Sequence, residues 1–189
     1  MIKNVTIIGD GAMGSVCAML LCQKKLNVRL WGYDGAYLEK MAQAGENTKF
    51  LPGYKLPKQL KCEADDAMAV KDADMLISAV PCQFVRSVFN RLKDKIAPDV
   101  PIVSVAKGIE NNTLLRPSEI LTELLGSGRQ YMVLSGPMIA DELVRGLPAT
   151  ACIAGNDAAL VMEVQEIFNC SYRSEEHTLN SSHRIRSRM

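Results

Sequence analysis

At 189 residues and 48% hydrophobic content, the chain has room for one well-buried domain and too little for two sizeable ones. A net charge of +1 gives no basis for nucleic acid or an anionic membrane surface as partner. The sequence carries neither a signal-peptide pattern nor an apolar run of membrane-spanning length, so no integral membrane segment is expected.

The first element is a short apolar strand over Val5-Thr6-Ile7-Ile8. It runs into Gly9-Asp10-Gly11-Ala12-Met13-Gly14 and then into an apolar helical stretch, Ser15 to Leu21. Strand, glycine turn and helix in this order define a dinucleotide-binding unit. Gly9 permits the tight turn, Gly11 lets the backbone approach a pyrophosphate, and Gly14 lets the helix lie against the strand with its free N–H groups facing the phosphate. Nucleotide binding is therefore expected across residues 9–15.

Further along, 28–31, 75–80, 102–105, 132–134 and 149–153 read as strands. Residues 37–44, 83–92, 114–125, 139–144 and 158–168 read as helices. This alternation predicts an α/β domain, a Rossmann-like doubly wound parallel sheet covered on both faces. Ligands of such sheets lie beyond the carboxyl ends of the strands, which directs attention to the residues that follow each one.

After the second strand comes Trp31-Gly32-Tyr33-Asp34, with Asp34 standing 25 residues beyond Gly9. Asp34 either bonds a ribose hydroxyl or starts an Asp-Gly turn with Gly35, and both readings stay open. An acid rather than a base here makes NAD the preferred cofactor, with NADP still open. At 80–83, Pro81 either passes its backbone under the cofactor or simply starts a helix. Lys107 ends the strand over 102–105 and is followed by Gly108; it is either a merely solvated strand-end lysine or points into the crevice, where a cation can hold an anionic substrate or polarise a carbonyl. Ser135-Gly136-Pro137-Met138 opens a helix with Pro137 near its first turn and Asp141 and Glu142 at its acidic start, a second anion cradle or an ordinary capped helix.

The six cysteines, Cys17, Cys22, Cys62, Cys82, Cys152 and Cys170, include no C-x-x-C pair. That argues against a zinc site and a disulfide framework, and no metal site is expected; buried thiols in a reducing cytoplasm are. Residues 173–189 hold four Arg, four Ser and both histidines, and without them the body has a net charge of −1. This stretch resembles the translation of a sequencing-library adapter, and is expected to be a non-native or disordered tail.

Taken together, Gly9 to Gly14, Phe50-Leu51-Pro52-Gly53 with Leu56-Pro57, Val80-Pro81, Lys107-Gly108-Ile109-Glu110, and Leu134-Ser135-Gly136-Pro137 followed by Ala140, Glu142 and Arg145-Gly146-Leu147-Pro148 make the chain resemble the NAD(P)-dependent glycerol-3-phosphate dehydrogenases. The resemblance covers residues 2–172 and the N-terminal cofactor domain only, which sets 1–172 as the expected domain. It implies hydride transfer between a nicotinamide and dihydroxyacetone phosphate, giving sn-glycerol 3-phosphate for phospholipid synthesis. By matching positions, Ala12, Met13 and Tyr33 contact the dinucleotide, Lys107 touches cofactor and substrate, Gly136 and Met138 sit at the substrate, and Ala140 at the cofactor. The family commonly has a hydroxyl residue where this chain has Met138, which leaves only backbone contact there. Its proton-transferring lysine and all-helical C-terminal substrate domain follow residue 172 and are absent here, so weak dinucleotide binding and negligible turnover are expected. A homodimer of the full-length enzyme stays open, as do two other functional readings: a non-catalytic redox-sensing module, and a related reductase of the same fold.

Overall fold

The computed structural model describes residues 1–169. The expected tail at 173–189 and Cys170 lie outside them. Seven strands alternate with seven helices: β1 (Asn4–Ile8), α1 (Ala12–Gln23), β2 (Asn27–Trp31), α2 (Gly35–Ala44), β3 (Lys61–Glu63), α3 (Asp66–Val70), β4 (Met75–Ser78), α4 (Cys82–Leu92), β5 (Ile102–Ser104), α5 (Pro117–Leu125), β6 (Tyr131–Ser135), α6 (Ala140–Val144), β7 (Cys152–Gly155) and α7 (Ala158–Phe168).

The strands form one sheet in the order β3-β2-β1-β4-β5-β6-β7. The chain winds outward from β1 through β2 to β3, then crosses back to β4 and winds the other way. The order therefore reverses between β1 and β4, which are paired in parallel with Ile8 opposite Ser78. A crevice opens beyond the carboxyl ends of the strands at such a reversal.

Apolar side chains from the strands feed both faces, as a two-sided sheet requires. Ile7, Leu30, Ile77 and Val103 pack under Cys17, Ala18 and Leu21 of α1 and Leu38 and Met41 of α2. Ile8, Trp31, Leu76 and Ile102 pack under Val85, Phe89 and Leu92 of α4 and Ile120 and Leu121 of α5. Burying one such aliphatic or aromatic side chain stabilises the fold by about 1.5–3 kcal/mol.

Several expectations are corrected. The sheet is not wholly parallel, because β7 runs antiparallel to β6, with Leu134 opposite Ile153. The chain between them returns on the same side through the short α6 instead of crossing over, and an edge strand tolerates either direction. The strand expected at 149–153 lies at Cys152–Gly155, and β3 and α3 were not anticipated; both are too short to carry a periodic signal. The helix expected from 114 starts at Pro117, since Leu114 takes a left-handed φ of 58° and a residue before proline avoids the helical region. Pro137 lies ahead of α6 rather than in its first turn: Met138 donates its N–H to the Gly136 carbonyl at 2.8 Å, and this tight turn delays the helix to Ala140.

Cys17, Cys22 and Cys82 are buried and Cys62 is half-buried, but Cys152 is exposed on the edge strand. Burial pushes the Cys17 thiol up to about 12 and that of Cys22 to about 11. Among the described residues, no helix is long and apolar enough to cross a membrane. No group of His, Cys, Asp and Glu among them could hold a metal ion.

Candidate functional site

The glycine loop sits at the reversal in strand order. Gly9 adopts a φ of 118°, and a Cβ on it would lie 2.8 Å from the Ala79 carbonyl oxygen just beyond β4. A Cβ on Gly14 would lie 1.9 Å from the Gly9 carbonyl oxygen, so the first turn of α1 can rest on the loop only if position 14 is bare. Gly11 differs from both, because nothing stands within 4 Å of where its Cβ would be.

Gly11 is also the N-cap of α1, a 12-residue helix with no side-chain cap and no acidic residue in its first turn. Ser15 makes the first intrahelical bond, to the Gly11 carbonyl at 2.9 Å, leaving the amides of the first turn without helical partners. An uncapped, acid-free helix start beside an open glycine has the geometry of an anion cradle. A dinucleotide pyrophosphate fits these residues.

The loop is braced from the 45–56 segment. Asn47 is fully buried, and its Nδ2 donates to the Asp10 carbonyl at 2.8 Å and to Ser15 Oγ at 2.7 Å. Its Oδ1 accepts from the Tyr37 hydroxyl at 2.6 Å and from the Phe50 amide at 3.0 Å. At the other end of this segment, the Tyr54 hydroxyl donates to Asp141 of α6 at 3.0 Å.

On the β2 side, Asp34 caps α2 by accepting from the Tyr37 amide at 3.1 Å. Asp10 packs against Gly32, where a Cβ would meet its carboxyl at 2.6 Å. Burial raises the Asp10 carboxyl pKa, and Lys49 acts against that rise. The Lys49 ammonium rides over the Phe50 and Tyr37 rings at 4.8 and 5.6 Å. Tyr33 is exposed, with one ring face 5.3 Å from the Arg91 guanidinium, which in turn pairs with Asp66 at 2.6 Å.

Across the crevice, Pro81 is the N-cap of α4 and Phe84 is exposed in its first turn. Lys107 lies beyond β5, and its Nζ donates to the Gly136 carbonyl oxygen at 2.9 Å, bringing together two regions 29 residues apart. The 107–113 loop is held by α4: Gln83 bonds the Ile109 carbonyl and the Asn111 amide, and Arg86 grips Glu110 through two nitrogens while also pairing with Glu123. Arg86 first and Thr113 second hold the Glu110 carboxyl below its ordinary pKa.

Gly136 accepts from Lys107 and sits so close to the β7 side that a Cβ would be 2.3 Å from the Thr150 carbonyl oxygen. Met138 is buried in the core, with its amide already spent on Gly136. Ala140 is the first residue of α6, whose first turn holds Asp141 and Glu142. Ala12 and Met13 lie in the first turn of α1. Sequence reasoning did not single out Asn47, Gly32, Arg86 or Gln83. Only Asn47 had a local signal, a polar residue just ahead of the Phe50-Leu51-Pro52 run; the partners of the others are distant in sequence.

The reversed strand order and the glycine loop at its centre place this chain in the class of Rossmann-like α/β domains. A solved structure of glycerol-3-phosphate dehydrogenase from Coxiella burnetii superimposes with a TM-score of 0.83 at 27% identity, covering 89% of this chain and 51% of that one. Residues 4–161 match the family described as NAD-dependent glycerol-3-phosphate dehydrogenase N-terminus, and the chain belongs to that family. The glycerol-3-phosphate dehydrogenase (NAD(P)+) of Carboxydothermus hydrogenoformans is 40% identical over 170 residues, and that of Leptospira biflexa 38% over 171. Each alignment covers 89% of this chain and 51% of the relative, so the chain spans about half the length of the curated relatives it matches.

Proposed function

We propose that the chain is the cofactor-binding half of an NAD(P)-dependent glycerol-3-phosphate dehydrogenase, with residues 1–172 as its dinucleotide domain. The observation that carries this reading is the contrast within the glycine loop: Gly9 and Gly14 are closed by backbone, whereas Gly11 faces open space at an uncapped helix start. The amides of Ala12, Met13 and Gly14 would hold the pyrophosphate, with Gly9 and Gly11 shaping its seat. Tyr33 and the free oxygen of Asp34 would meet the adenosine end, and Pro81 and Ala140 would border the cofactor from the far side. An acid at this position favours NAD over NADP. When bound, the nicotinamide would supply or accept a hydride.

Lys107 is the residue assigned to the reacting end. An ammonium has three donors, and one is spent on the Gly136 carbonyl, which aims the group and leaves two for a phosphate or carbonyl oxygen. Dihydroxyacetone phosphate, or sn-glycerol 3-phosphate in the reverse direction, supplies both kinds of oxygen. Gly136 and Met138 would border it through backbone, the Met138 side chain being turned into the core. The buried thiols Cys17, Cys22 and Cys82 suit the reducing cytoplasm.

Calorimetric titration of the full chain with NADH and NADPH, with and without dihydroxyacetone phosphate, tests the reading. The expected result is saturable NADH binding that Gly11→Val abolishes. Tightening by dihydroxyacetone phosphate, lost in Lys107→Ala, would support the substrate assignment. A folded sample that binds neither dinucleotide overturns the reading.

A further inference from the structure

We infer that Asn47 is a positioning residue for the dinucleotide: it sets the glycine loop and the first turn of α1 in the geometry that a pyrophosphate needs. The inference rests on the cofactor-binding reading above. Asn47 lies outside the loop, 36 residues beyond Gly11, yet its side chain ties down both the loop and the start of α1.

The orientation of its amide follows from its neighbours. The Asp10 carbonyl can only accept, so the NH2 group must face it. The Tyr37 hydroxyl accepts from the Lys49 amide at 3.0 Å, so its own proton goes to Asn47 Oδ1, as does that of the Phe50 amide. Both donors and both lone pairs of the side chain are thereby used, in a site with no access to water. The two donors reach the cradle itself: one fixes the carbonyl of Asp10, between Gly9 and Gly11, and the other fixes Ser15, whose amide closes the first intrahelical bond to Gly11. The two acceptor bonds reach only α2 and the 49–50 backbone.

This division predicts different consequences for the two sides of one hub. Asn47→Asp keeps the shape and both acceptor bonds but sets an oxygen against the Asp10 carbonyl. Leaving a buried polar contact unmade costs about tenfold or more in the equilibrium it supports. Tyr37→Phe removes the hydroxyl's two bonds on the far side, to Asn47 Oδ1 and from the Lys49 amide, and leaves both cradle bonds in place.

The full chain, its Asn47→Asp, Tyr37→Phe and Ser15→Ala variants, and Gly11→Val as a non-binding control would be titrated with NADH by fluorescence, with Tm read on the same samples. The expected result is a Kd at least about tenfold weaker for Asn47→Asp, against a change within about twofold for Tyr37→Phe at a comparable loss of Tm. A Kd that follows Tm equally in both variants, or an Asn47→Asp protein that binds like the parent, overturns the positioning role while the cofactor reading stands. If Asn47→Asp does not fold, Ser15→Ala decides: weaker NADH binding at unchanged Tm supports the role, and unchanged binding overturns it. A folded parent that binds no NADH removes both readings, and that outcome is separate because it appears before any variant is compared.

Discussion

The loop at 9–15 and the segment at 135–148 face the same crevice, yet they are held in opposite ways. The first is locked by packing: seven of the twelve residues of α1 are buried, Gly14 rests on the Gly9 backbone, and Asn47 bonds the Asp10 carbonyl and Ser15 Oγ beneath it. The second carries α6, five residues of which none is buried, and its chief core anchor is Met138. Three further ties are exposed: Lys107 to Gly136, Tyr54 to Asp141, and the Arg145–Asp141 pair at 3.4 Å. Exposed pairs contribute little, and segments with few buried contacts open at low free energy. The glycine-loop side is held by buried packing, and the Lys107 side by fewer buried contacts.

Mutations can break this comparison. The largest effect is expected from Leu21→Ala on α1, whose side chain is fully buried; stability should fall by about 2–5 kcal/mol in urea unfolding. Gly14→Ala comes next, because its methyl must push the helix off the Gly9 carbonyl. Overpacking of this kind costs about 1–3 kcal/mol, readable as a lower Tm. A loss much smaller than this would show that the loop yields more easily than its packing indicates.

Acid sharpens the comparison on the Lys107 side. Arg86 and Thr113 depress the Glu110 pKa, and the Arg116 side chain and backbone depress that of Glu119 to about 2. A carboxylate with a lowered folded-state pKa stabilises the fold above its unfolded pKa of about 4.3, and that stability is lost as pH falls through the folded value. Circular dichroism should record progressive destabilisation from about pH 5 to about pH 2, with a shallower dependence in Glu110→Gln. The smallest effect is expected from Ile139→Ser, just ahead of α6 and exposed. Its Tm should correspond to a change within about 0.5 kcal/mol, and a larger loss would mean the segment is more firmly packed than its exposure indicates.

Much of this was legible in the linear chain, and the reasons are local. A β-run, a glycine turn and a helix form a contiguous pattern, so Gly9, Gly11 and Gly14 could each be given a separate task from spacing alone. The parallel character of five strands, β1, β2, β4, β5 and β6, followed from their apolar runs. Strands of three or four residues at the edges, β3 and β7, were missed or displaced because so short a run has no readable period. The direction of β7 depended on how the chain returns after Met138, which no local pattern encodes.

By itself, the sequence determined that a Rossmann-like sheet forms, where its glycine loop lies, and that a lysine follows the strand at 102–104. These depend on backbone conformation and hydrophobic spacing, properties of neighbours in the chain. Only the tertiary structure decided that Asn47 braces the loop from 36 positions beyond Gly11, that Arg86 of α4 holds the turn after Lys107, and that Lys107 meets Gly136. Each depends on a hydrogen bond or ion pair between residues distant in the chain, and such partners are chosen by the packing of the whole sheet rather than by the sequence around them.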